Sequence, residues 1–170
     1  MSSNPNHWNH FEDDCNRGKR GESAWGRHLT AQGYVCSPID LEEDKRGIDI
    51  RATKDELTLT FDVKNDGMAA KTGNLAFEFI SRYNDGRTKD GWATKAACDF
   101  FVILEDLGDG RFNYHAVRAS EVVAKLPEMM PDYRVGICRK DPNKETSSLL
   151  IKKHLMPHLF ESYVTGAVKS

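Results

Sequence analysis

Residues 47–64 have the sequence GIDIRATKDELTLTFDVK, and its second half shows the clearest periodicity in the chain. Over residues 56–64 apolar side chains at Leu57, Leu59, Phe61 and Val63 alternate with polar ones at Thr58, Thr60, Asp62 and Lys64. Strict alternation is typical of a β-strand with one buried face. Asp62 and Lys64 are therefore predicted to emerge on the same face, within about 7 Å of each other along the strand.

The flanking segments predict further helices and strands around this one. Trp25 and Leu29 lie four residues apart and Gly33 follows them, which favours a helix over residues 21–32. Strands are predicted at residues 47–51, 74–81, 99–104, 111–117 and 134–138, short helices at 92–98 and 121–126, and an amphipathic segment at 147–160. This order predicts an α/β fold in which a central mixed β-sheet is flanked by helices.

Length and composition predict one globular domain behind a short arm. A chain of 170 residues, 39% hydrophobic and 29% charged, suits a single folded core. Residues 1–19 are expected to form a flexible N-terminal arm and residues 20–170 the domain. Apolar stretches are too short to span a bilayer, and the N-terminus lacks the pattern of a secretory signal, so a cytoplasmic location is expected.

Charge and cysteine content disfavour some classes of protein. A net charge of −2 is not the basic character of a protein that binds nucleic acid mainly through phosphates. Residues 71–95 and 134–153 are locally basic, however, and an acidic chain can still carry a basic surface. The four cysteines, Cys15, Cys36, Cys98 and Cys138, form no CxxC pair. They predict free thiols rather than a zinc knuckle or a redox motif.

Asp49, Asp62 and Lys64 have the chemistry of a site that hydrolyses phosphodiesters with a metal ion. If the two predicted strands pair, the Asp49 carboxylate reaches Asp62. Two carboxylates, water and a phosphate are the hard oxygen ligands that Mg²⁺ prefers. Metal coordination lowers the pKa of water, and a lysine ammonium stabilises the charge that develops on the phosphate. Glu22 lies on the inward face of the predicted helix and is a candidate fourth member.

These residues resemble the signature of a known nuclease superfamily. Glu22, the run Gly47-Ile48-Asp49-Ile50 and the run Phe61-Asp62-Val63-Lys64 are similar to the E…D…(D/E)xK pattern of the PD-(D/E)XK, or restriction-endonuclease-like, superfamily. Ile48 stands where proline is common in that pattern, and Asp62 where glutamate is more frequent. Residues 73–79 and 91–103 resemble the third strand, helix and fourth strand of small phage-encoded nucleases and Holliday-junction resolvases.

The resemblance covers about residues 20–105 and implies a Mg²⁺-dependent DNA endonuclease that also accepts Mn²⁺. It implies a restriction-endonuclease-like catalytic core at about residues 20–118, often a homodimer, in a bacterial or phage-infected cell. The implied metal ligands are Asp49, Asp62 and Glu22, and Lys64 is the implied catalytic cation. A short chain has little room for a module that reads sequence, which favours structure-selective cleavage of branched or junction DNA. The candidate DNA contacts are Lys95, Lys71 and Arg82.

Less specific interpretations of the same residues stay open. Asp62 and Lys64 alone would suit a solvated ion pair on a strand, and Glu22 a first-turn glutamate favoured by the helix dipole. Glu78 belongs either to the metal shell or to an ordinary outward face. For the whole chain, the alternatives are a non-catalytic DNA- or protein-binding module on the same fold, or a sequence-specific restriction-type nuclease.

Overall fold

The computed structural model describes residues 6–139 and 141–169, with the backbone alone for residues 6–15 and 17. The helices within this range are α1 (Asn6–Ala31), α2 (Leu41–Arg46), α3 (Ala69–Thr72), α4 (Ala119–Met129) and α5 (Met156–Leu159). The strands are β1 (Val35–Ser37), β2 (Ile50–Lys54), β3 (Leu57–Asp66), β4 (Asn74–Tyr83), β5 (Thr88–Asp90), β6 (Phe100–Asp106), β7 (Arg111–Arg118), β8 (Val135–Cys138), β9 (Lys144–Lys152) and β10 (Val164–Lys169). No helix in the described part of the chain is long and apolar enough to cross a membrane.

A six-stranded mixed sheet lies at the centre of the fold, with the order β1-β2-β3-β6-β7-β10. Strands β3 and β6 are parallel, and the other neighbouring pairs are antiparallel. Asp99 fixes the parallel pair, because its Oδ2 accepts hydrogen bonds from both N and Oγ1 of Thr60 at 2.8 Å. Helix α1 covers one face of the sheet and α4 lies on the other. The predicted α/β fold with a central mixed sheet between helices is confirmed.

Both faces of the central sheet are buried, and this places the polar face of β3 inside the molecule. Phe61 and Val63 of β3 pack with Trp25 and Leu29 of α1. On the opposite face, Phe101 of β6 packs with α4 and with a four-stranded sheet of order β5-β4-β9-β8. The side chains of β3 that alternate with Phe61 and Val63 therefore point toward the second sheet.

Helix α1 begins earlier than the sequence predicted. It starts at Asn6, whereas the sequence predicted a helix from residue 21; residues 6–19 of the expected arm are helical, and residues 1–5 lie outside the described residues. The prediction relied on apolar periodicity, and the first turns of α1 are mostly polar. A packed segment that has nucleated a helix can propagate it through polar residues.

Other elements differ from their predicted bounds for local reasons. The strand expected at 47–51 begins at Ile50, and the helix expected at 92–98 is a 3-10 turn, Trp92–Thr94. Helix α4 runs past its predicted end at residue 126 and through Pro127, because the buried side chains of Leu126 and Met129 keep its last turn against the core. The segment at 147–160 begins in strand β9 and continues through two short helical turns. Strands β1, β5 and β10 were not predicted.

The cysteines are free thiols wherever their side chains are described. Cys36 and Cys138 are exposed and Cys98 is buried, as expected for thiols without a partner, and the side chain of Cys15 lies outside the described set. Burial raises the pKa of the Cys98 thiol to about 12, and the Asp62 carboxylate adds to the shift. Cys98 therefore stays protonated at neutral pH and is unsuited to nucleophilic chemistry.

Candidate active site

Asp49 is held beside β3 by helix α2 and the turn that follows it. Helix α2 begins with a capping box, and Gly47 ends it in the left-handed conformation, φ 87°, which favours glycine. Asp49 then donates its backbone N–H to Phe61 O at 2.8 Å, and its Oδ2 accepts from Val63 N at 2.6 Å. Backbone and side chain together fix the carboxylate against the strand that carries Asp62.

Asp62 and Lys64 lie on one face of β3, as the alternation predicted. Asp62 is 2% exposed, whereas 34% of the Lys64 side chain remains accessible. Lys64 Nζ forms an ion pair with Asp62 Oδ1 and lies 3.9 Å from Asp49 Oδ2. Asp62 Oδ1 accepts no well-aligned hydrogen bond from the described residues. The solvated ion pair considered from sequence does not describe this geometry, because the carboxylate is buried.

Burial dominates the electrostatics of this pair. Burial raises the pKa of Asp62 from 3.8 to about 7; the Lys64 ammonium opposes the shift and the Asp49 carboxylate adds to it. Burial lowers the pKa of Lys64, but the carboxylates of Asp62 and Asp49 outweigh it and hold the pKa above its usual range. Lys64 is thus a fixed cation beside an acid whose protonation is strongly perturbed. Such combinations cluster at functional sites.

Glu22 approaches the same group from α1. It is half-buried and lies in the middle of the helix, so the first-turn explanation no longer applies. Burial raises the pKa of Glu22 and the Asp49 carboxylate raises it further, while Lys64 lowers it. Glu22 is therefore within electrostatic range of both residues. The structure therefore brings the four sequence-predicted residues into one neighbourhood.

Asp62 and Lys64 border a cleft of about 650 Å³ between the two sheets. The cations that line it are Lys45, Arg46, Lys64, Lys89, Lys95 and Lys144. The carboxylates that line it are Asp44, Asp62, Glu78 and Asp90. Asp49 and Glu22 are not part of this lining; Asp49 reaches the pair from the β2 side of β3. The cleft is locally richer in cations than a chain of net charge −2 would suggest.

A close approach of the chain at Gly91 shapes one wall of the cleft. A Cβ at Gly91 would lie 2.2 Å from Glu78 O, at the point where β4 carries a bulge. This contact seats the Trp92 ring against Phe101, with centroids 5.0 Å apart, so Trp92 serves as a core anchor. It also places Lys95 at the cleft. Glu78 lines the same cleft and accepts a hydrogen bond from a serine hydroxyl of β4.

The other candidate contacts lie outside this cleft. Four cations that line it were not among the predicted site residues: Lys45, Arg46, Lys89 and Lys144. Lys71 is exposed on α3, and Arg82 on β4 donates to Ser147 Oγ at 3.1 Å. Lys89 belongs to the basic stretch recognised in the sequence, which could have identified it. Lys144 lies in the second basic stretch, residues 134–153, but only the pairing of β9 with β4 shows that it reaches the cleft.

The donor atoms of this group suit a hard divalent cation. Asp62 supplies a buried carboxylate oxygen without a well-aligned hydrogen bond, and Asp49 supplies a second carboxylate beside the same ammonium. Two carboxylates completed by water or phosphate oxygens are a typical Mg²⁺ environment. No three His, Cys, Asp or Glu side chains in the described ranges already converge as a ligand set. The residues fit an ion that keeps several solvent or substrate ligands.

Comparisons with known proteins add one structural likeness. No family model and no curated protein matches the sequence. Among solved structures, the fold is similar to that of a bacterial homing endonuclease, I-Ssp6803I, with a TM-score of 0.49 and 16% identity. The match covers 64% of this chain and 70% of that one. A likeness at this level does not assign a function to the site.

Proposed function

We propose that this protein is a metal-dependent DNA endonuclease of the PD-(D/E)XK type. The observation that carries the proposal is the buried Asp62 carboxylate paired with Lys64, with Asp49 Oδ2 3.9 Å from the same ammonium. Burying this acid costs stability, because Asp62 Oδ1 accepts no well-aligned hydrogen bond from the described residues to replace those it would make with water. Such a cost is typical of sites retained for chemistry rather than for packing.

Each member of the group has a task that its position allows. Asp62 and Asp49 would hold Mg²⁺ or Mn²⁺, and Glu22 would complete the shell directly or through water. When bound, the ion supplies Lewis-acid polarisation of the phosphate and lowers the pKa of water. Lys64, kept cationic by both carboxylates, stabilises the negative charge that develops on the phosphate during attack.

The cations of the cleft support DNA as the substrate. Lys95, Lys89 and Lys144 line it together with Asp62 and would contact backbone phosphates on either side of the scissile bond. Contacts to phosphate position DNA without reading its sequence. This favours structure-selective cleavage of branched or junction DNA over cutting at a defined sequence. Lys71 and Arg82 would contact only DNA that extends beyond the cleft.

A homodimer belongs to the same proposal. One such group cuts one strand, so coordinated cleavage of two strands at a junction requires two copies. Light scattering of the purified protein, alone and with a junction oligonucleotide, measures this. A single copy per junction with symmetric double cuts would contradict the dimer, while leaving the chemistry of the site in place.

Incubation with supercoiled plasmid and with labelled branched and linear oligonucleotides tests the function. We expect nicking with Mg²⁺ or Mn²⁺, none in EDTA, and faster cutting of branched substrates. DNA binding without cleavage under either metal would support the non-catalytic module instead. Discrete ends at one sequence on linear DNA would support the restriction-type alternative.

A further inference from the structure

One exposed face of α1 carries a stripe of cations and small polar residues. The stripe consists of Asn16, Lys19, Arg20, Ser23 and Arg27, which line a shallow groove of about 490 Å³. All five side chains are exposed. Positions 16, 20, 23 and 27 follow the three- and four-residue spacing of successive turns, so these side chains form a row along the helix.

The two arginines of the stripe lack the partners of an ordinary solvated helix face. Neither Arg20 nor Arg27 has an acidic residue three or four positions away in the sequence, where intrahelical ion pairs form. Neither makes an ion pair with any side chain that the structure describes. The fold does not need them, because α1 is held by Ala24, Trp25 and Leu29 on its other face.

The stripe also borders the proposed catalytic group. Lys19 lies one turn before Glu22 on α1 and is close enough for its ammonium to lower the pKa of that carboxyl. Gly21, which precedes Glu22, packs against Asn65, the neighbour of Lys64 on β3. A DNA strand bound along this stripe would therefore extend directly to the proposed catalytic group.

We propose that the stripe binds backbone phosphates of duplex DNA beside the scissile bond, as a contact surface separate from the cleft. The inference rests on the proposed nuclease function and extends it to a second surface. The chemistry is complementary, because guanidinium groups bind phosphate oxygens with two parallel hydrogen bonds. Ser23, between the arginines, adds a hydroxyl donor.

The dimensions of the stripe match a phosphate backbone. Arg20 and Arg27 are seven residues apart, which corresponds to about 10 Å along the helix axis. Phosphates of one strand recur about every 3.4 Å along the duplex axis. Because the strand also winds around that axis, phosphates are farther apart in space than this rise, and two guanidinium groups about 10 Å apart would bind two nearby phosphates of one strand without contacting the bases.

The test compares variants by fluorescence anisotropy with labelled duplex DNA in EDTA over a series of salt concentrations. Arg20→Gln/Arg27→Gln removes two phosphate contacts, so the slope of log K against log salt should become shallower by up to about 1.8. At about 0.1 M salt the affinity should fall roughly ten- to hundredfold. Arg20→Lys/Arg27→Lys keeps both charges and should recover most of the affinity and slope.

Arg111→Gln/Lys169→Gln is the matched control. It removes the same charge from two exposed residues that line neither the cleft nor the stripe, and should bind like the wild type. If the wild type cuts DNA but the Gln pair keeps its affinity and salt slope, the stripe is not a DNA surface, and an acidic protein becomes its better partner. If the wild type neither binds nor cuts DNA, the proposed function itself fails, and this inference with it.

Discussion

Lys153→Met should destabilise the protein more than its partly exposed position suggests. Glu105 is only 3% exposed, and Lys153 Nζ lies 2.5 Å from its Oε1. The other carboxylate oxygen has only neutral donors, Asn113 Nδ2 at 3.2 Å and a ring nitrogen of His115 at 3.4 Å. Methionine keeps the apolar stem of lysine and removes the charge, which leaves the Glu105 carboxylate buried without a cation.

The size of the effect follows from burial of the pair. Breaking a fully buried ion pair costs about 3–5 kcal/mol. Because 29% of the Lys153 side chain is exposed, water replaces part of the interaction, and we expect about 2–3 kcal/mol. Urea-induced unfolding followed by circular dichroism measures this as a lower midpoint with an unchanged slope.

Two further variants separate the ion pair from other effects of the substitution. Lys152→Met changes the neighbouring, exposed lysine and should cost less than about 0.5 kcal/mol. Glu105→Gln/Lys153→Met removes both charges and should recover part of the loss, because no buried charge is left unpaired. Equal midpoints for Lys153→Met and Lys152→Met would refute the reasoning.

Three other outcomes follow from single contacts. Burial alone would raise the pKa of Glu121, but hydrogen bonds from the 161–162 loop outweigh it and lower the pKa from 4.5 to about 2. The stability that this carboxylate gives the folded protein should therefore be lost as pH falls through that interval. Glu121→Gln should remove this part of the acid sensitivity in unfolding curves measured against pH. Gly91→Ala should lower the free energy of unfolding by about 3 kcal/mol through overpacking. Gly26→Ala is its control, because the added Cβ would meet nothing closer than 3.9 Å, and it should raise the free energy of unfolding by about 0.5 kcal/mol. Thermal unfolding measures both variants. A thiol reagent should label Cys36 in the native protein and spare Cys98 until unfolding, as peptide mapping by mass spectrometry would show.

Local alternation explains why the centre of the site could be predicted from sequence. The period of two along β3 is a property of neighbouring residues, so it placed Asp62 and Lys64 on one face without knowledge of the rest of the fold. Asp49 followed from a short-range antiparallel pairing, which the structure contains as Ile50 opposite Phe61. Both inferences depended on contacts between residues close in the sequence.

Long-range pairing explains what the sequence could not predict. Lys144 reaches the cleft only because β9 pairs with β4, more than sixty residues earlier in the chain. Within β9, Ser147, Leu149 and Ile151 are buried in alternation, but the run Leu149-Leu150-Ile151 obscures that period in the sequence. The burial of Glu105 likewise depends on Lys153, which no local pattern connects to it.

The most direct measurement of the proposed site is the single-turnover rate of DNA cleavage with excess enzyme and Mg²⁺. Asp62→Asn and Lys64→Ala should each lower the rate about 100-fold or more, because each removes a group that acts on the transition state. Lys152→Ala, which removes an exposed lysine outside the cleft, should cut at the wild-type rate. Asp62→Asn should unfold no more easily than the wild type, since it removes a buried acid. Wild-type rates in Asp62→Asn or Lys64→Ala would contradict the assignment of these residues to the chemistry.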